Sequence, residues 1–286
     1  MRLLYYAIGG GLGHLVRARA FLHTLGLGAH ATVLTASPFA DDRRVVGDLD
    51  VLRAPLALQT DAAAFREWLQ AELARRSIDV FCVDAFPAGI LGELCDWRVD
   101  GPEYWHVARL LRWDAYAGLM RGSPPRFTRC WRLEPLAPDH QAFLDVHCER
   151  SDDLVLSDPP ALAAPAARAV APREGFWLVV HSGPQSEVDE LIAFAREMRA
   201  AEGSEVAIHV ASAEATSNPE ANIHALDLHP ASVLFARAQR IFSAAGFNIM
   251  RETAAHRDRQ HVLPMPRRFD DQYERARRAF SRELRS

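Results

Sequence analysis

The chain contains no lysine, and all 33 basic residues are arginine. That absence excludes any chemistry that needs a lysine amine, including a Schiff base to pyridoxal phosphate. It equally excludes a phosphate loop of the Gly-Lys-Ser/Thr type. Cysteine is scarce: Cys82, Cys95, Cys130 and Cys148 show no C-x-x-C spacing, so reduced, packed thiols are expected. No apolar run approaches the roughly 18 residues of a membrane span, which leaves peripheral membrane contact open. Nor is a signal peptide expected, because Arg2 precedes a short apolar run that breaks at glycines. A cytoplasmic location follows as an expectation. Positive charge is not in excess either: the net charge is −4, which argues against a nucleic-acid partner.

What is present is a chain of 286 residues, 49% hydrophobic, enough for one large or two modest domains. It opens with the apolar run 3–8, a buried strand by its composition, and then Gly9-Gly10-Gly11-Leu12-Gly13-His14. Leu15, Ala18, Phe21 and Leu22 then fall on one face of a helix. A glycine loop between strand and helix lets a ligand approach the backbone, and the amides at the helix start favour negative charge. A dinucleotide loop does not fit. The fingerprint needs glycine at its sixth position, which is His14 counted from Gly9 and Val16 counted from Gly11. The second apolar run, 31–35, is followed by Ala36 and Ser37 rather than by an acid for a ribose.

Strand and helix signals alternate through the first half. Strands are expected near 51–53, 79–84, 105–111 and 127–133, and helices over 62–76 and 88–95. Residues 157–172 carry four prolines among alanines and read as a linker. The pattern then restarts, with strands at 176–180, 206–210, 239–243 and 261–264. Helices are expected over 187–201, 231–238, 248–255 and 270–285. Alternation of this kind implies parallel sheets covered by helices.

Groups in both halves could carry chemistry. His14, at the mouth of the first helix, could act as general base, its ordinary pKa suiting that task. Asp84 ends a buried strand, where ligand sites of α/β folds gather, and could orient His14 or contact an acceptor. Arg17, one turn after His14, could meet a phosphate or pair with an acid. Further on, Ala245-Gly246-Phe247-Asn248 turns a strand into a helix. Glu252 lies one turn later, placed to accept both hydroxyls of a ribose. No His/Asp cluster suggests a metal.

These motifs resemble those of glycosyltransferases of the two-Rossmann-domain (GT-B) architecture. The Gly13-His14 end of the first loop resembles the N-terminal loop of the MurG-like enzymes. Gly13-His14-Leu15-Val16-Arg17 also resembles the Gly-His-x-x-Arg segment of the UDP-sugar hydrolase of pseudaminic acid synthesis. Glu252, Pro264 twelve residues later, and then Asp271-Gln272 are similar to the pattern of the MurG-like and UDP-glycosyltransferase families. Arg257 and Arg259 stand where that pattern usually has glycine and proline.

The resemblance implies an α/β, GT-B-like protein: two Rossmann-like domains whose parallel sheets face a central cleft. Residues 1–156 would form the acceptor side, 157–172 the linker, and 173–286 the nucleotide-sugar-binding domain with its closing helix. It implies Gly10, Gly11, Gly13 and Arg17 on the acceptor side, with His14 and Asp84 catalytic. It further implies Ser182, Gly183, Gly246, Phe247 and Asn248 for the donor diphosphate, Glu252 for the ribose, and Asp271 and Gln272 for the sugar. The expected activity is transfer from a UDP-linked sugar, the substrate, to an acceptor the sequence does not name, with no metal and no cofactor. Hydrolysis of a nucleotide-sugar on the same fold is an alternative, and a non-catalytic nucleotide-sugar-binding protein is another.

Overall fold

The computed structural model describes residues 1–58, 60–160, 175–212 and 222–281. The chain divides into two compact units, Met1–Pro160 with Arg268–Asp270, and Ala161–Arg267 with Asp271–Ser286. Each is built on one parallel sheet, so the fold is the two-sheet α/β arrangement that the motifs imply.

The first sheet has seven strands: β1 (Leu3–Ala7), β2 (Ala31–Thr35), β3 (Asp50–Arg53), β4 (Val80–Asp84), β5 (Glu103–Ala108), β6 (Arg129–Arg132) and β7 (Ser151–Asp153). Their order is β3-β2-β1-β4-β5-β6-β7, and every pairing is parallel. Strands β1, β2 and β4 are buried at every residue, as a sheet covered on both faces requires. The helices of this unit are α1 (Leu12–Thr24), α2 (Arg43–Val46), α3 (Ala62–Arg76), α4 (Trp113–Ala117) and α5 (Pro138–His147). Asp61 caps α3 by accepting from Ala63 and Ala64, and Phe65, Leu69 and Leu73 form its buried stripe.

The second sheet has five strands: β8 (Phe176–His181), β9 (Ile208–Ser212), β10 (Ile223–Leu226), β11 (Ala238–Ser243) and β12 (Gln260–Val262). They run in the order β10-β9-β8-β11-β12, again all parallel. With them come α6 (Gln185–Ala201), α7 (Phe247–Glu252) and α8 (Gln272–Ser281). One core cluster joins Val188, Leu191 and Ile192 of α6 to Trp177 and Val179. A second gathers Phe176 and Leu178 with Leu234 and Phe235.

In both sheets the strand order reverses beside the first strand. The switch points lie between β1 and β4 and between β8 and β11, and ligand sites of open α/β sheets gather outside the carboxyl ends of the strands at such points. The glycine loop and Asp84 end the first pair. Ser182-Gly183 and Ala245-Gly246 end the second.

Four local expectations need correction. The helix expected over 88–95 is a series of turns. Ala85, Gly89 and Gly92 have φ of 60°, 81° and 79°, which no α-helix accommodates. The segment is shaped instead by the Glu93 carboxylate, which accepts from the amides of Ile90 and Leu91 and from the Tyr6 hydroxyl. The helix expected over 231–238 is only a 3-10 turn, Ala231–Leu234, and α7 ends at Glu252 before a second such stretch, Ala254–Arg259. Finally, Cys130 and Cys148 are disulfide-bonded, while Cys82 and Cys95 are buried free thiols. Chain spacing could not show the bond: helix α5 carries the chain out and back, leaving the two Cα atoms 6.3 Å apart. Most of the expected linker 157–172 lies outside the described residues, as do residues 213–221 and 282–285.

Candidate active site

In the first unit three side chains converge on one carboxylate with four hydrogen bonds. Asp84, at the end of β4, is buried. Its Oδ1 accepts from the Tyr5 hydroxyl at 2.9 Å and from Arg17 Nε at 2.7 Å. Its Oδ2 accepts from Arg17 Nη2 at 2.5 Å and from His14 Nδ1 at 2.7 Å. Both oxygens are thus fully used. Burial by itself would raise the Asp84 pKa, but Arg17 and His14 outweigh it and hold the carboxyl far below the usual range. An ionised carboxylate only accepts, so His14 must carry its hydrogen on Nδ1, which leaves a lone pair on Nε2. Burial lowers the His14 pKa, Asp84 opposes this, and Arg17 and Arg109 add to the lowering. His14 is therefore neutral near pH 7, with its basic nitrogen unprotonated.

The backbone around the ring is shaped for it. A Cβ on Gly9 would stand 2.5 Å from His14 Nε2, so only glycine at position 9 admits the imidazole. Gly11 caps α1, which places Gly13 and His14 in its first turn. Cβ atoms on Gly10 or Gly11 would meet nothing within 4 Å, and neither glycine lies at positive φ. Beyond Asp84, Ala85 sits at φ 60° and the Phe86 amide donates to the Asp84 carbonyl at 2.7 Å. That is a γ-turn of the strained, positive-φ kind, a form of strain that gathers at functional sites. The Phe86 ring lies 6.0 Å from that of His14 and 5.8 Å from that of Phe269. The Arg109 guanidinium sits 5.8 Å from the Phe86 ring and pairs with Asp270.

Two more histidines lie near this edge. His106 Nδ1 donates to the Val83 carbonyl at 2.9 Å, and His140 stacks on Trp113 at 4.1 Å. Both are fully buried, and burial lowers them to about 4 and about 3. Among the described residues, His106 Nε2 and both nitrogens of His140 are buried with no hydrogen-bond partner. Sequence reasoning passed over these two and also Gly9, Tyr5 and Arg109. Gly9 stood in the motif, but nothing in one dimension told it from its neighbours.

In the second unit, Gly246 caps α7 in an extended conformation, with Phe247 and Asn248 as the first helical residues. A Cβ at Gly246 would meet only Ile249, at 3.9 Å. The loop before it is held from behind. Gln272 Oε1 accepts from the amides of Ala245 at 3.1 Å and Met265 at 3.0 Å, and Arg275 donates to the Ala245 carbonyl at 2.9 Å. The Gln272 carboxamide oxygen is thus committed to backbone. Asp271 Oδ1 accepts from the Glu274 amide at 3.0 Å, at the start of α8. Glu252 closes α7, half-buried beside Arg251. The departures at Arg257 and Arg259 have structural work. Arg257 donates to the Met250 carbonyl at 2.6 Å and to Gln260, and Arg259 donates to the Ala238 carbonyl at 2.8 Å. At the end of β8, His181 Nε2 donates to Glu187 Oε2 at 2.6 Å, and Arg267 pairs with the same carboxylate. Among the described residues no group of three or more His, Cys, Asp or Glu side chains could hold a metal ion. No helix there is long and apolar enough to cross a membrane.

No family profile and no curated protein matches the sequence. Solved structures do match the fold. The spinosyn forosaminyltransferase SpnP is 11% identical, with 99% of this chain and 83% of that chain covered and a TM-score of 0.63. Arabidopsis thaliana UGT89C1, complexed with quercetin, is 13% identical over 99% of this chain and 83% of that one, with a TM-score of 0.61. The spinosyn rhamnosyltransferase SpnG, complexed with thymidine diphosphate, is 15% identical over 97% and 83%, with a TM-score of 0.60. The chain thus has the GT-B fold seen in these glycosyltransferases.

Proposed function

We propose that the protein transfers a sugar from a nucleotide-sugar, UDP-linked by the resemblance of its motifs, to the hydroxyl of a small-molecule acceptor. The observation that carries this reading is His14. Asp84 holds its Nδ1, which leaves the lone pair on Nε2, and the missing side chain of Gly9 makes room for that edge of the ring at the switch point of the first sheet. Nε2 takes the acceptor's proton, the acceptor oxygen bonds to the anomeric carbon, and the carbon–oxygen bond to the diphosphate breaks. Gly10, Gly11 and Gly13 border the acceptor. Arg17 acts through Asp84 rather than on substrate.

Donor binding falls to the second unit. Ser182, Gly183, Gly246, Phe247 and Asn248 take the diphosphate, Glu252 the ribose, and the Asp271-Gln272 segment the sugar. Gly246, Gly10 and Gly11 support this, because neither positive φ nor packing against the protein itself calls for glycine there. Backbone amides, rather than a metal ion, meet the charge that develops on the leaving diphosphate. SpnG with thymidine diphosphate and UGT89C1 with quercetin show that this fold accommodates a nucleoside diphosphate and a small aromatic molecule.

The test is a thermal-shift screen with UDP, GDP, dTDP, CMP and NAD. A ligand at a hundred times its Kd adds about 2.7 kcal/mol of stability. UDP or dTDP should raise the melting temperature, and Glu252→Ala should abolish the shift. His14→Ala should keep the shift and lose transfer. A response to NAD alone, or to none of the five, overturns the assignment. Sugar released without acceptor would instead identify a hydrolase, and nucleotide-sugar binding without turnover a binding protein.

A further inference from the structure

The two halves carry the same device in different residues. In the first unit, a glycine without side chain (Gly9) admits an imidazole (His14), bound to a carboxylate (Asp84) that an arginine (Arg17) also holds. In the second unit, Gly183, His181, Glu187 and Arg267 repeat it. A Cβ on Gly183 would stand 2.4 Å from His181 Nε2 and 2.6 Å from Glu187 Oε2. The His181 side chain is 9% exposed and sits directly before Ser182-Gly183, at the carboxyl end of β8.

The two devices differ in which nitrogen they occupy. Burial alone would raise the Glu187 pKa, but Arg267 and His181 bring it below the ordinary value, so the carboxylate is ionised. His181 must then donate from Nε2, and the lone pair rests on Nδ1. Burial lowers the His181 pKa, Glu187 opposes this and Arg267 reinforces it. Among the described residues, Glu187 and Arg267 are the charged groups that act on the ring. The unliganded imidazole is neutral near pH 7, and the Glu187–Arg267 pair beside it cancels in charge.

A diphosphate in this loop offers the ring acceptors only. A neutral imidazole with its lone pair toward such oxygens is repelled, and an imidazolium donates a charge-assisted hydrogen bond. We propose that His181 is a further phosphate-contacting residue, which takes up a proton from solvent on Nδ1 as a nucleoside diphosphate binds. The proposal rests on the donor assignment above. It adds a site of proton uptake, distinct from His14, that couples donor affinity to pH.

The test is calorimetry of the full chain with UDP and dTDP at pH 7.5, in buffers of different ionisation enthalpy. The wild type should take up about one proton more than His181→Gln on binding the same nucleotide. Its affinity should fall toward tenfold per pH unit above neutrality, a slope absent in His181→Gln. Should that variant not fold, the ring of His181 in 15N-labelled wild type reports directly, since nucleotide should convert its signals to those of an imidazolium. Binding with equal heats in all buffers, or a His181 that stays neutral when saturated, overturns the proposal and leaves the donor site standing. Absence of any binding overturns both.

Discussion

Arg17 changes what the Asp84 carboxylate does to the imidazole beside it. A carboxylate next to histidine ordinarily raises its basicity. Here the guanidinium takes both carboxylate oxygens and comes within 3.1 Å of His14 Nδ1, so much of that effect is spent. The sequence marked His14, Arg17 and Asp84, with Asp84 placed to orient His14. It did not show that the arginine holds the same carboxylate, because 67 residues separate the partners in the chain. Arg17→Gln should therefore do two things. It should cost about 3–5 kcal/mol of stability, as an unpaired buried carboxylate does, measured by urea unfolding at pH 7. It should also raise the pKa of His14, followed by NMR titration of the ring, because the cation that opposes its protonation is gone. A His14 pKa that stays put or falls would show that Arg17 does not tune it.

At the scale of elements, the stretch after β4 shows why alternation of apolar residues misled. Residues 88–95 carry an apolar pattern, but Gly89 and Gly92 take positive φ, and the Tyr116 hydroxyl, which accepts from the Ala88 amide at 2.9 Å and donates to the Gly89 carbonyl at 2.8 Å, holds the turns in place. Such long-range contacts leave no periodic trace. Helix α5 makes a different point. It starts at Pro138 and carries His140 into the core against Trp113. Both His140 and His106 stay neutral when folded, to about pH 3 and about pH 4, whereas unfolded they protonate near 6.5. The unfolded chain thus binds more protons below 6.5, and stability falls as pH drops from 6.5 toward those values, by up to about 1.4 kcal/mol per pH unit for each histidine. His140→Phe keeps the stacked ring and removes both buried nitrogens. The variant should be about as stable as the wild type at pH 7 and lose roughly half of this pair's acid sensitivity between pH 6 and 4, read from melting temperatures. An unchanged slope would contradict the assignment. The same helix returns the chain so that Cys148 meets Cys130 across a separation of 18 residues. Reduction of that bond should cost about 3 kcal/mol by loop entropy, visible as a lower melting temperature with dithiothreitol; Cys130→Ala should melt at the same temperature with and without it.

For the whole molecule, most of the architecture was written in local pattern. Two apolar strands, each followed by a loop and a helix, announced two parallel sheets, because a parallel strand must be buried on both faces and needs a crossover. Short or polar elements were not legible. Strand β7 is Ser-Asp-Asp and owes its existence to pairing with β6, and β10 exposes His224 and Ala225 between two buried ends. The reversals of strand order that bring the glycine loop beside Asp84 depend on which strands pair, a choice made by burial over the whole sheet.

The first unit is not one continuous piece of chain. Arg268–Asp270 belong to it, where Phe269 packs on Phe86 and Tyr116 and Asp270 pairs with the buried Arg109. A gene fragment that stops at residue 160 therefore encodes a unit whose Arg109 has lost its pairing with Asp270 and whose aromatic wall is one ring short. Chimeras that exchange donor halves between proteins of this fold usually invite a single crossover. For this chain the border has three crossings, and a working hybrid must carry Phe269 and Asp270 along with the half that holds His14.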